Sequence, residues 1–89
     1  MAITPQESKA ARGLLDWSQA DLAEASLIGR STARNFENES RSTAPANLIA
    51  IHNAFVKVGV IFESDRRYVG VKIRRGKRAL RPRDPVVKV

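Results

Sequence analysis

Arg30, Ser31, Thr32, Arg34 and Asn35 form a short polar cluster, and its residue types suit the edges of DNA bases. An arginine can grip guanine O6 and N7 with two hydrogen bonds, and an asparagine can do the same to adenine N6 and N7. Arg30 and Arg34 are four residues apart, so on a helix they project from neighbouring turns of one face. Arg30, Arg34 and Asn35 therefore carry the chemistry for reading bases. Ser31 and Thr32 leave three roles open: reading bases, holding phosphate or capping. A solvated helix face is the plain alternative for the arginines.

The stretch 18–38, SQADLAEASLIGRSTARNFEN, must position these side chains. It reads as two short helices joined by a tight turn. Ser18 can cap the first of them, and Asp21 three residues on completes the spacing of a capping box. Leu22 and Ala23 give that helix an apolar side. Leu27, Ile28 and Gly29 interrupt the pattern. A second helix over 30–38 turns Ala33 and Phe36 inward.

A helix precedes this pair. Thr4 fits its N-cap, Pro5 its first position and Glu7 the closing of a capping box. Ala10, Ala11, Leu14 and Leu15 are its expected buried stripe, with Lys9 and Arg12 outside it. Gly13 is expected to pack closely against a neighbour. Trp17 reads as a core plug at the joint between helices. After the pair comes a polar loop, ESRSTA, in which Arg41 can lie along a phosphate backbone and Thr43 can cap the next helix. That helix spans about 44–58, with Leu48, Ile51, Ala54, Phe55 and Val58 at helical spacing. Gly59 ends it and Val60 closes the apolar contact of the cap.

Ile49 and Val56 share a second face of this helix. An exposed apolar face points to a subunit interface, against the alternative of scattered surface hydrophobes. Val60, Ile61 and Phe62 then read as a strand, 63–67 as a turn, and 68–73 as a second strand with Val69, Val71 and Ile73 on one side. A lone hairpin is barely stable in water, so it must pack on the helices or pair with a second copy. Ile49, Val56, Ile61, Val69 and Val71 are the expected dimer-interface residues. The expected organisation is a helical domain over 1–59, a strand or hairpin over 60–74 serving dimerisation, and a basic flexible tail over 75–89.

The net charge is +7, unevenly placed. Residues 1–65 hold six Lys or Arg against eight Asp or Glu, whereas residues 66–89 hold ten against one. Nucleic acid is the default partner of such a basic end, and a solvated tail is the alternative. Cysteine is absent, which rules out disulfides and thiolate metal sites and fits a reducing cytoplasm. The single histidine, His52, is expected on the helix surface or its edge, with no metal role. No cofactor is expected. Without a cysteine nucleophile, a Ser–His–acid set or a phosphate-cradling glycine loop, an enzyme is the least expected class. The start lacks the basic-then-apolar pattern of a signal peptide, and no apolar run is long enough to span a membrane.

Ser18-Gln19, Leu22-Ala23-Glu24, Arg30-Ser31-Thr32 and Phe36-Glu37 together resemble the phage-repressor-like, Xre-type helix-turn-helix family. The leading KAARGLLDWSQADLAEAS is similar to its usual opening, and NLIAIHNAFVKVGVIF to a subgroup of small bacterial members that end in a short strand. The resemblance covers 3–73. It implies a mainly α, compact four-helix lambda-repressor-like domain whose third helix lies in the major groove of double-stranded DNA. It implies base reading by the first residues of that helix, here Arg30, Ser31, Arg34 and Asn35, a phosphate contact for Gln19 and a backbone contact for Asn38. With Thr32 and Arg41 the last two make the expected phosphate set. Glu37 matches a position that holds the fold together. The turn departs from the pattern: Leu27 stands where glycine is common, Gly29 where a serine or threonine caps, Ala33 where a larger aliphatic is usual, and Glu39 where glycine is frequent. Leu27 is expected to be strained unless Gly29 absorbs the change. The expected function is a homodimeric, sequence-specific transcriptional regulator on an inverted repeat. The alternative is an antitoxin or antiactivator that works through a regulatory protein partner.

Overall fold

A computed structural model describes residues 2–74. Four helices come first: α1 (Pro5–Leu15), α2 (Gln19–Ser26), α3 (Arg30–Asn38) and α4 (Pro45–Lys57). Two short strands follow, β1 (Ile61–Phe62) and β2 (Val71–Lys72). They pair antiparallel, with Ile61 opposite Lys72 and Phe62 opposite Val71. The described residues are thus mainly α with a small hairpin after the helices. The flexible tail expected over 75–89 lies outside the described residues. No helix among those described is long and apolar enough to cross a membrane.

The helix starts follow from local chemistry. Thr4 and Glu7 form a reciprocal capping box at α1, and Ser18 and Asp21 form another at α2. Each satisfies backbone donors that the first turn leaves unpaired. α4 differs from expectation: Ala44, not Thr43, is its N-cap, and no side chain accepts there. Pro45 begins the helix instead, its fixed φ suiting the first position. At the other end Gly59 has φ 96°. The Gly59 N–H donates to Val56 O at 3.0 Å and the Val60 N–H to Phe55 O at 3.1 Å, and Val60 is buried. This is the paired glycine cap expected of that spacing.

The core is built from Ala11, Leu15, Trp17, Leu22, Ala33, Phe36, Ile51 and Phe55. Aromatic contacts run through it. The rings of Trp17 and Phe55 stack at 5.8 Å, Phe55 meets Phe62 edge-on at 6.2 Å, and Phe62 stacks on His52 at 5.1 Å. The hairpin is fastened to the bundle by this row. Trp17 plugs the α1–α2 joint, while its Nε1 finds no acceptor among the described residues. His52 is half-buried by its ring contact with Phe62.

Three expectations are corrected. Ala10 and Leu14 are exposed, and Glu7 and Ser8 are buried in α1 beside Ala11 and Leu15. Polar partners reached across the fold, described below, pull Ser8 and Glu7 inward. Gly13 is exposed, and a Cβ there would meet nothing within 4 Å, so it does not serve close packing. The even alternation expected along 68–73 holds only at the strand: Val71 and Ile73 pack against the core, while Val69 is exposed.

Candidate nucleic-acid interface

The inward side of α3 is Ala33, Phe36 and Glu37. Glu37 is fully buried. A carboxylate in such a place demands compensating donors, and four are present. The Arg12 guanidinium makes a two-pronged contact, Nη2 to Oε1 at 2.6 Å and Nε to Oε2 at 2.8 Å. The Ser8 hydroxyl donates to Oε2 at 2.5 Å, and Gln19 Nε2 donates to Oε1 at 3.2 Å. Burial pushes the Glu37 carboxyl up, but the bonds from Arg12, Ser8 and Gln19 and the charge of Arg12 outweigh it, holding its pKa below the ordinary value. The free prong of Arg12, Nη1, donates to Trp17 O at 3.0 Å. One carboxylate thus ties α3 to α1, to the α1–α2 joint and to the first residue of α2.

Spacing alone puts Arg12 outside the buried stripe and does not single out Ser8. The available signal is Glu37 itself, one residue past Phe36 and four past Ala33, hence on the inward side. A carboxylate there requires a cation from elsewhere in the chain.

The outward side of α3 is open. Arg30, Ser31, Arg34 and Asn38 are exposed, and none has a side-chain hydrogen bond or ion pair among the described residues. By helical spacing Ser31, Asn35 and Asn38 lie nearest the middle of this side, with Arg34 on the flank toward Arg30. Arg30 lies on the margin beside Glu37, and the half-buried Thr32 lies on the margin beside Phe36. Asn35 is half-buried too, and its Oδ1 accepts from Ser40 Oγ at 3.1 Å. Its amide hydrogens remain unclaimed among the described residues, and the oxygen keeps a second lone pair. Gln19 has one amide hydrogen committed to Glu37, which leaves the other for an outer partner. Arg41 is exposed in the loop after α3 and lines a shallow cleft with Phe36, Glu39 and Thr43.

At the turn before α3 the strained alternative for Leu27 holds. Leu27 itself is left-handed, with φ 59° and ψ 37°, while Gly29 is extended, with φ −69°. Gly29 absorbs nothing and caps α3 without a side-chain acceptor. Leu27 closes α2 by donating to Glu24 O at 3.3 Å, followed by Ile28 to Ala23 O at 3.0 Å. Glu39 ends α3 in the same left-handed way, with φ 56°. A leucine in this region bears a steric cost of about 1–2 kcal/mol, and this one is 92% exposed, with little packing to offset it. Leu27→Gly is therefore expected to stabilise the fold by about 0.5–1 kcal/mol once the greater freedom of glycine in the unfolded chain is deducted. Thermal unfolding checks this, with a rise in midpoint of about 2–8 °C for a domain of this size.

Of the expected dimer residues, Ile49, Val56, Ile61 and Val69 are exposed, Ile49 at 61% and Val56 at 48%. Val71 is half-buried against the core, so much of its side chain is already used within the subunit.

The search of curated proteins found no match for the chain. The family model described as helix-turn-helix matches residues 9–55, more than half of the sequence and the whole span from within α1 to the later part of α4. Two capped helices joined by a turn, the second held by a buried carboxylate and polar on its open side, are the structural counterpart of that match, and the chain belongs to the phage-repressor-like, Xre-type helix-turn-helix family of DNA-binding regulators.

Proposed function

We propose that the protein regulates transcription as a homodimer that recognises an inverted repeat, with α3 lying in the major groove of double-stranded DNA. The observation that carries this is the contrast between the two sides of α3. Inside, four donors fix Glu37. Outside, Arg30, Ser31, Arg34 and Asn38 are open and unpaired among the described residues. A reading helix needs both properties, because base contacts specify only when the backbone that carries them is held in register. In this reading Arg30, Ser31, Arg34 and Asn35 address bases, and Gln19, Thr32, Asn38 and Arg41 address phosphates.

The test is selection of bound duplexes from a random pool, followed by titration of the enriched sequence. An inverted repeat with half-sites about 34 Å apart is the expected product. Recovery of no preferred sequence would end the reading.

Dimerisation is carried by the exposed Ile49 and Val56, seven residues apart on α4, with Ile61 and Val69 as further exposed hydrophobes. The parent is expected to sediment at roughly twice its 9.8 kDa chain mass. Val56→Asp is expected to sediment as the single chain, because a charge cannot be buried unpaired at the centre of such a contact. Unchanged dimer mass in that variant would remove this face from the interface.

One observation favours a second reading. Residues 18–39 hold two arginines against four acidic residues, a poor endowment for neutralising phosphates. An antitoxin or antiactivator would use the same apolar α4 face for a regulatory protein. It would form a stable complex with that protein and show no preference among duplexes.

A further inference from the structure

The positive charge of this chain lies away from the helix that enters the groove. The α2–α3 unit is net acidic, whereas the duplex carries one negative charge per about 1.7 Å. A cationic surface elsewhere must meet the phosphates.

The hairpin turn offers one. Asp65 Oδ1 accepts from the Arg67 and Tyr68 N–H groups, both at 2.8 Å, and the Asp65 N–H donates to Tyr68 O at 2.8 Å. Below this the Glu63 N–H donates to Gly70 O at 2.8 Å, and Lys72 pairs with Glu63 at 2.7 Å. The turn is thus closed on itself, yet the Arg66 and Arg67 side chains are exposed and unpaired among the described residues. Tyr68 beside them is 70% exposed, so the core makes little use of its ring. An exposed phenol following two open guanidinium groups in one turn matches the donor chemistry of phosphate contacts.

The turn is also tied to α1, the helix that holds α3. Ser64 Oγ donates to Glu7 Oε2 at 2.5 Å and accepts from the Gly70 N–H at 3.2 Å. The next residue of α1, Ser8, donates to Glu37 of α3 at 2.5 Å. Adjacent residues of one helix therefore fix the hairpin and the reading helix.

We propose that Arg66 and Arg67, with Tyr68, form a second DNA contact that holds phosphates of the duplex that α3 enters. This rests on the reading of α3 given above and adds the affinity that α3 lacks. The contact is electrostatic and indifferent to sequence.

The experiment compares the parent, Arg66→Ala/Arg67→Ala and Arg66→Lys/Arg67→Lys on the selected duplex between 50 and 200 mM salt. Two lost phosphate contacts should lower the slope of log affinity against log salt by about 1.8, so the parent's advantage shrinks about 12-fold across that range. The alanine variant should keep the parent's order of preference among duplexes, and the lysine variant should keep the parent's slope. An alanine variant equal to the parent in slope and affinity would overturn the second contact and leave α3 standing. Failure of the α3 reading looks different: the parent itself would show no sequence preference. Single-stranded RNA of equal charge that bound more tightly than the duplex, with the same dependence on both arginines, would overturn the assignment to duplex DNA. Neither arginine side chain has a partner to lose among the described residues, so circular dichroism should be unchanged in both variants.

Discussion

Arg12→Ala is expected to cost about 3–5 kcal/mol of folding stability, more than the loss of any other side chain bonded to Glu37. The size follows from what is left behind. Glu37 has no exposure, and the two prongs of Arg12 bring the cation that balances its charge. Removing that cation strands a carboxylate that Ser8 and Gln19 alone cannot compensate. A domain of this size has about 5–15 kcal/mol in total, so a large part of its stability depends on this pair. Urea denaturation measures it, as a fall in midpoint at unchanged slope. A loss under about 1 kcal/mol, the ordinary range of an exposed ion pair, would show that Glu37 is not held as described.

The same pair sets a pH dependence. The Glu37 pKa in the folded chain lies below its ordinary value of 4.5, so the unfolded chain binds that proton more tightly. Its contribution is complete above the unfolded pKa and is lost as pH falls through the folded one. Glu7 acts in the same sense. Burial raises its pKa, but the Ser64 hydroxyl, the Thr4 groups and the charge of His52 together leave it lowered. The parent should therefore weaken below about pH 4.5, and the gap between parent and Arg12→Ala should narrow there.

Arg30→Ala/Arg34→Ala is expected to abolish discrimination between the selected operator and random duplex while leaving the fold intact. Each two-bonded arginine–guanine contact gives about 1–3 kcal/mol of discrimination, so two give about 2–6 kcal/mol, or roughly 30-fold to 10⁴-fold. Neither side chain has a partner to lose among the described residues, and alanine is the best helix former. Operator binding and thermal unfolding should therefore separate, with the first lost and the second unchanged. Arg12→Ala should do the reverse at the level of cause, losing DNA binding only as α3 loses its support. An operator affinity unchanged in the double variant would move the reading face off α3.

What the chain reveals by itself is what depends on neighbours in sequence. Thr4 with Glu7, Ser18 with Asp21, and Gly59 with Val60 each act within a few residues, and each forms as its spacing implies. What stays hidden depends on partners far along the chain. Spacing does not single out Ser8 because its acceptor is 29 positions away, and Glu7 likewise meets Ser64 57 positions on. Ala10 and Leu14 fit an apolar stripe as well as Ala11 and Leu15 do, and only the placement of α3 and the hairpin decides which of them is covered. The turn at Leu27 leaves two outcomes open in the sequence for another reason. Glycine two residues later suggests a shifted bend, but the backbone keeps its left-handed residue at Leu27, and side-chain preference yields to the geometry between the helices. The outward residues of α3 are legible as a polar face, since nothing among the described residues competes for most of them.

The position of Trp17 has a practical consequence. It is the single tryptophan of the chain, buried against Phe55 at the joint between α1 and α2. Its indole emission therefore reports solvent entry at the centre of the bundle, while the proposed reading face lies on exposed residues elsewhere. Intrinsic fluorescence can follow unfolding of the natural chain without any label, and a DNA titration read in the same cuvette would reveal whether the duplex disturbs the interior or only its surface.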